Sequence, residues 1–135
     1  MTEVKQETKA GDEMEDGAVL AALYEGKAMY TTPADAPLTY TFNEAANYAE
    51  QLNAQKYLGH DDWRVPTKGE LAVLFRNRAA IGGFNVSGEV PAGWYCSASY
   101  LGYGYSWAQR FSDGRQDFDH HLGKHNDMSL RCVRG

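Results

Sequence analysis

The sequence predicts a single α+β domain. Two capped helical segments stand in the first half of the chain, aromatic segments with strand alternation fill the last third, and 135 residues suit one core. With 43% hydrophobic and 23% charged residues the composition is that of an ordinary globular chain, which excludes wholesale disorder and collagen-like architecture.

The elements follow in order. Ala18 to Tyr24 and Lys27 to Thr31 read as a β-hairpin turning at Glu25 and Gly26. Pro33 and Pro37 break the chain. Thr41 with Glu44 then forms a capping-box pattern ahead of Ala45, Ala46, Tyr48, Ala49 and Leu52 at helical spacing, which predicts a helix to about Asn53. A second helix is predicted from Pro66, Thr67 and Glu70, with Leu71, Leu74 and Phe75 on one face and an end near Ala80. Before it, Trp63 precedes a proline that forces an extended approach, and the indole is expected to anchor that entry. Strands are predicted at Trp94 to Ser99, Tyr105 to Ser112, Arg115 to Asp119 and Met128 to Arg134, with Asp113-Gly114 as a hairpin turn.

Residues 1–16 carry Glu3, Glu7, Asp12, Glu13, Glu15 and Asp16 against Lys5 and Lys9, so −4 of the net charge of −5 lies there. A polar stretch without aromatic or β-branched clusters buries too little surface to offset its ordering entropy, and it is expected to be a flexible acidic leader to a domain over 17–135. After Trp94, five basic residues are interleaved with four aspartates, a balance that argues against a nucleic-acid footprint. No apolar run approaches the roughly 18 residues of a membrane span, and the N-terminus lacks a basic-then-apolar signal pattern. Membrane insertion is therefore not expected.

Catalytic patterns are weak. Cys96 and Cys132 are too far apart for a metal or redox motif, and the sequence supplies no geometry that would settle whether they are bonded. Cys132 reads most simply as a small core residue. His120, His121 and His125 lie close together, yet the surrounding Asp-His-His-Leu-Gly-Lys-His-Asn-Asp reads as a loop rather than a helix that aims two imidazoles at one metal. A solvated or ligand-contacting loop is the better account. Asp61 and Asp62 point apart in an extended segment, no glycine group builds a phosphate cradle, and no nucleophile signature surrounds Cys96 or the serines. Neither enzymatic activity, nor a cofactor, nor a metal site is expected.

The aromatic density is the informative feature. Trp94, Tyr95, Tyr100, Tyr103, Tyr105 and Trp107 fall within fourteen residues, interleaved with Ser, Gly and Ala. Trp94, Tyr95 and Trp107 suit strands. The run Tyr-Leu-Gly-Tyr-Gly-Tyr at 100–105 is too glycine-rich for a buried strand and is expected to be a loop. Its composition is that of a paratope, where tyrosine supplies rigid amphipathic contact area and Ser and Gly supply adaptability.

Several strings together carry a family resemblance: Trp63-Arg64-Val65-Pro66-Thr67 with Glu70-Leu71, Ile81-Gly82-Gly83-Phe84-Asn85, Gly93-Trp94-Tyr95, Arg110-Phe111-Ser112-Asp113-Gly114, and Ser129-Leu130-Arg131-Cys132-Val133-Arg134. In this order, over residues 17–135, the chain resembles the C-type-lectin-fold variable proteins of diversity-generating retroelements. Non-variable domains of bacterial lipoproteins share much of the framework. Cys96 stands where similar domains often carry tryptophan, and the stretch from Gln116 to Lys124 is longer than in the shorter members.

The resemblance implies a C-type-lectin-like fold with two helices on small antiparallel sheets and a variable region of about 96–126. In that family a reverse transcriptase copies a template repeat and mutates adenines. An AAC codon can then become Tyr, His, Asp, Gly, Ser, Ala, Leu, Arg, Phe or Cys, but never Trp, Lys, Gln, Met or Glu. The ligand-binding residues it implies here are Cys96, Ala98, Tyr100, Leu101, Tyr103, Tyr105, Arg115, Asp117, Asp119, His120, His121, Leu122, His125 and Asn126. Trp107, Gln109, Gln116 and Lys124 fall outside the reachable set and are assigned to the scaffold, with the Arg131 segment and buried aromatics holding the backbone. Tyr100, Tyr103 and Tyr105 are the expected hot spots, each worth about 2 kcal/mol of binding. The implied function is hypervariable binding of a surface protein or glycan, displayed on a virion or cell. A fixed carbohydrate-binding or adhesion domain of the same fold is the alternative, and an enzyme resembling the formylglycine-generating enzymes of this superfamily the third reading.

Overall fold

The computed structural model describes residues 9–24, 26–102, 105–120 and 127–135, with backbone alone at 24, 101, 119 and 120. Strands β1 (Val19–Tyr24) and β2 (Lys27–Thr31) form the expected antiparallel hairpin, and β2 then pairs with the short C-terminal β6 (Val133–Arg134) to complete a three-stranded sheet in the order β1-β2-β6. A second antiparallel sheet, in the order β3-β4-β5, is built from β3 (Trp94–Gly102), β4 (Tyr105–Arg110) and β5 (Gln116–His120). Between the sheets in sequence come α1 (Phe42–Ala54), α2 (Lys68–Arg76) and the single turn α3 (Arg78–Ile81).

Both helix starts obey their local code. Thr41 and Thr67 are N-caps with extended backbone, and each forms a reciprocal capping box with the glutamate three residues on. At α2 the Glu70 amide donates to the Thr67 hydroxyl at 3.2 Å, while the Glu70 carboxylate accepts from the Thr67 amide at 2.9 Å and from Arg64 at 2.6 Å. Burial pushes the Glu70 carboxyl up, but Arg64 and the Thr67 N–H outweigh it and hold the group below its ordinary value. Replacing Thr67 by alanine should cost about 1 kcal/mol of stability. An unchanged urea midpoint for that variant would show that the box contributes nothing to folding.

The predicted second helix runs unbroken to about Ala80, but the structure interrupts it at Asn77. There the backbone leaves helical geometry, and the Asn77 side-chain amide donates to the Ala21 carbonyl of β1 at 2.9 Å. The break thus coincides with a tertiary hydrogen bond to β1. Trp63 anchors the entry to α2 as expected: it is 2% exposed, its indole N–H donates to the Tyr57 carbonyl at 2.9 Å, and its backbone exchanges hydrogen bonds with the Asn53 side chain.

The predicted strand from Met128 to Arg134 is a strand only at its end. Met128 bridges Tyr40, Ser129 bridges Tyr95, and Val133 bridges Arg64 and pairs with Thr31. The segment crosses from the second sheet to the first and changes partners on the way, so it cannot form one continuous ladder. Arg131, at its midpoint, is wholly buried. Its Nε donates to the Thr32 carbonyl at 2.9 Å, and its Nη1 donates to the Gly82 carbonyl at 2.9 Å and to Asp35 at 3.3 Å. Asp35 also accepts a hydrogen bond from the Tyr95 hydroxyl, which in turn accepts from the Asn85 amide at 2.7 Å. Burial pushes the Asp35 carboxyl up and the Arg131 guanidinium down, in each case against the pull of the other charge.

The fold takes in more of the acidic segment than its composition suggests. Residues 9–16 are part of the fold: Gly11 donates to Leu20, Leu20 to Asp12 and Met14 to Ala18, and Glu13 bridges Val19 along the outer edge of β1. Asp16 meets His60 at 2.7 Å. Backbone pairing with a sheet edge supplies order that the side chains do not. Residues 1–8 lie outside the described residues.

Two hydrophobic clusters cover opposite faces of the second sheet. One, beneath α1, gathers Ala45, Ala49, Leu52, Trp63, Cys96, Ala108, Leu130 and Cys132; the other, beneath α2, gathers Leu71, Leu74, Tyr95, Phe111 and Val133. Both cysteines are buried with free thiols, and no disulfide joins them.

Candidate ligand-binding face

The Asp113-Gly114 turn sets the register of the outer strands. Gly114 donates to the Arg110 carbonyl at 2.8 Å, and Arg110 donates to the Arg115 carbonyl at 2.8 Å and clamps Asp113 through two side-chain bonds of 3.0 and 2.6 Å. Arg110 and the Arg115 amide hold the exposed Asp113 carboxyl down to about 2. Gln109 then faces Gln116, Trp107 faces Phe118, and Tyr105 faces His120. Directly opposed residues share a face, and this register brings three rings together. Phe118 lies 5.8 Å from Trp107 and 5.4 Å from Tyr105, nearly perpendicular to both.

The inner strand is irregular where it borders this cluster. Cys96 pairs with Ala108 and Tyr100 with Ser106, so residues 97–99 stand against Trp107 alone. The Ser97 hydroxyl donates to the Trp107 carbonyl at 2.6 Å, the Ala98 amide to the Pro66 carbonyl at 2.8 Å, and the Ser99 hydroxyl accepts from the Lys68 amide at 2.9 Å. The bulge thus closes the sheet onto the start of α2 and leaves Ala98 at the surface. On the face turned toward α1, Tyr100 is 58% exposed with its ring 5.9 Å from that of Phe42. Arg115 pairs with Asp117 at 3.0 Å, a surface contact that orients both more than it stabilises.

Of the predicted site residues, Ala98, Tyr100 and Arg115 are exposed and Tyr105 and Asp117 half-buried; they are spread along the three adjacent strands, with Tyr100 and Tyr105 at the end next to Gly102 and Arg115 at the end next to the Asp113-Gly114 turn. Leu101 lies on β3, and Asp119 and His120 on β5 opposite Ser106 and Tyr105. Tyr103, His121, Leu122, His125 and Asn126 lie outside the described residues, as does Lys124 of the predicted scaffold.

Two expectations are corrected. Cys96 is 5% exposed, with its thiol donating to the Ser129 carbonyl at 3.1 Å, and burial pushes it up to about 12. Strand alternation turns it toward the α1 cluster, so it packs and does not reach the surface. The run at 100–105 is also less of a loop than expected. β3 continues to Gly102, whose φ of 114° suits glycine, and β4 resumes at Tyr105 opposite it.

Three contributors were not singled out. Phe118, 48% exposed, could have been found by counting the register back from Asp113-Gly114, which places it opposite Trp107. Phe42 and Lys68 approach from distant helix starts, and no local spacing announces them.

Of the scaffold residues, Gln109 is 3% exposed and donates to the Gly114 carbonyl at 3.0 Å, while Gln116 donates to the Lys68 carbonyl at 2.9 Å and to Gln109 at 3.2 Å. The Lys68 ammonium sits 3.6 Å over the Trp107 ring.

Two small antiparallel sheets, helices packed on both faces of the second, and a loop-rich C-terminal end define a C-type-lectin-like domain. Residues 18–134 match the model of the Lcl C-terminal domain, and the chain belongs to that family. It is accordingly a lectin-like, ligand-binding protein. No curated protein matches the chain. Among the described residues no helix is long and apolar enough to cross a membrane.

Proposed function

We propose that the chain is a hypervariable binding domain, diversified by adenine-directed mutagenic retrohoming, that presents the β3-β4-β5 end to a surface protein or glycan. One observation carries this reading. Trp107, Gln109 and Gln116, which adenine mutagenesis of AAC codons cannot create, are engaged in contacts that hold the sheet together, whereas the reachable residues Ala98, Tyr100, Tyr105, Arg115 and Asp117 stand at or near the surface on adjacent strands. Side chains placed this way can be exchanged at small cost in stability, about 0.5 kcal/mol or less for an ordinary surface site. Phe118, also in the reachable class, is 48% exposed beside Tyr105.

Display on a virion or cell surface and the absence of enzymatic activity belong to this proposal. The enzyme reading requires an organised cysteine or metal site. Both thiols are instead buried and pushed up to about 12, chiefly by desolvation, which keeps them protonated near neutral pH.

Sequencing the gene with its flanks tests the proposal. A neighbouring reverse transcriptase should accompany a near-identical template repeat whose differences fall at adenines and encode the surface positions named above, with the codons of Trp107, Gln109 and Gln116 unchanged. A locus with neither would overturn the hypervariable reading and leave a fixed carbohydrate-binding or adhesion module.

A further inference from the structure

The first residue of α2 touches every strand of the candidate face, each through a different group. The Lys68 amide donates to the Ser99 hydroxyl of the β3 bulge at 2.9 Å. Its carbonyl accepts from the Gln116 side chain of β5 at 2.9 Å, and its ammonium lies 3.6 Å over the Trp107 ring of β4. Two residues earlier, the Pro66 carbonyl takes the Ala98 amide at 2.8 Å. From the geometry we infer that Lys68 is a positioning residue, a strut that holds the three strands of the binding face in fixed relation to one another. The inference rests on the reading of that face as the ligand-binding surface.

The reasons are physical. An amide at the start of a helix has no partner within the helix, so it is available to an outside acceptor, and here the acceptor is a hydroxyl on the least regular part of β3. The helix that carries Lys68 is itself immobilised by its capping box and by the buried Leu71, Val73 and Leu74. The contacts of Lys68 therefore extend the rigidity of the α2 cluster to the outer end of the sheet, where the residues are largely exposed and hydrophobic packing is thin. Gln116 carries the connection further, through Gln109 to the carbonyl of Gly114 in the turn that sets the β4-β5 register.

A binding face whose side chains are exchangeable gains most from such a strut. Ordering a mobile face on binding subtracts from affinity for every ligand alike, so a backbone held in advance benefits each new set of side chains. Lys68 lies outside the expected variable region, and its side-chain partners on β4 and β5, Trp107 and Gln116, are residue types that adenine mutagenesis of AAC does not produce. The strut would persist while its surroundings change.

Amide hydrogen exchange on the full chain tests this without any ligand. In Lys68→Met, exchange of the Ala98 amide and of the β4 and β5 amides should rise about tenfold, the loss expected when a partly desolvated cation–π contact is removed, with the β1-β2 amides unchanged. Lys68→Arg restores a cation over Trp107 and should return most of the protection. As a second variant, Gln116→Leu keeps the lysine and should raise exchange selectively in β5 and at the turn. Unaltered exchange in Lys68→Met and Gln116→Leu would overturn the assignment. So would a uniform rise in both sheets that follows global stability, or failure of arginine to rescue. Because the readout is the backbone of the face, it stands or falls separately from whether that face binds anything.

Discussion

Replacing Arg131 by alanine is expected to destabilise the domain by about 3–5 kcal/mol, the range found when one partner of a buried charge pair is removed. Its guanidinium is wholly buried and serves three parts of the chain at once: the Thr32 carbonyl after β2, the Gly82 carbonyl after α3, and the Asp35 carboxylate. Truncation would leave Asp35, whose burial already pushes it toward the neutral form, with the Tyr95 hydroxyl but without its countercharge, and would leave two carbonyls without this donor. The ring of Phe84, 4.3 Å from the guanidinium carbon, would lose its cation as well. Urea unfolding followed by circular dichroism checks the value. A double variant, Arg131→Met with Asp35→Leu, should recover a good part of the loss, because an apolar pair carries no desolvation cost. A loss below about 1 kcal/mol for Arg131→Ala would mean that the network is not what joins the two sheets.

Phe111→Ala should cost a similar amount, about 3–5 kcal/mol, by a different mechanism. Phe111 is wholly buried at the centre of an aromatic cluster, with ring centroids 4.3 Å from Tyr95, 4.9 Å from Phe84 and 5.5 Å from Phe75. Removing it leaves a cavity that the surrounding rings, held on different elements, cannot collapse to fill. Close packing here is visible at Gly114, where an added Cβ would stand 2.5 Å from the Phe75 ring. Since Phe111 follows β4 and leads into the Asp113-Gly114 turn, its loss should also loosen the register that brings Phe118 to Trp107. By contrast, Arg115→Ala, on the exposed side of the same hairpin, should change stability by no more than about 0.5 kcal/mol. If the two variants proved equally destabilising, the separation between scaffold and surface would fail.

Much of this architecture could be read from local signals. The two capping boxes appear as threonine with glutamate three residues on, and both form as written. The first hairpin follows from two short strand segments around Gly26, and the second from Asp113-Gly114. Tyr100 and Arg115, which the family resemblance implied for the candidate surface, are exposed, and Asp117 is half-buried. Cys96, implied with them, is buried, because alternation assigns a residue to one of two faces and only packing decides which face is covered. In this sheet both faces are covered near Cys96 and one end is open near Tyr100, a distinction that depends on where α1 and α2 come to rest.

The same limit explains the remaining differences. Where α2 ends, the Asn77 side chain meets Ala21 across the domain, and residues 9–16 pair their backbone with the edge of β1. Neither partner lies within reach of a local pattern. The sequence by itself determined the α+β class, the helix starts and the hairpins, all of which follow from interactions spanning a few residues. Only the tertiary structure decided that Cys96 is interior, that Phe42 and Phe118 join the surface, and that Arg131 and Lys68 bind separate elements together. Such contacts join residues distant in the chain, and their energies depend on burial that no single segment contains.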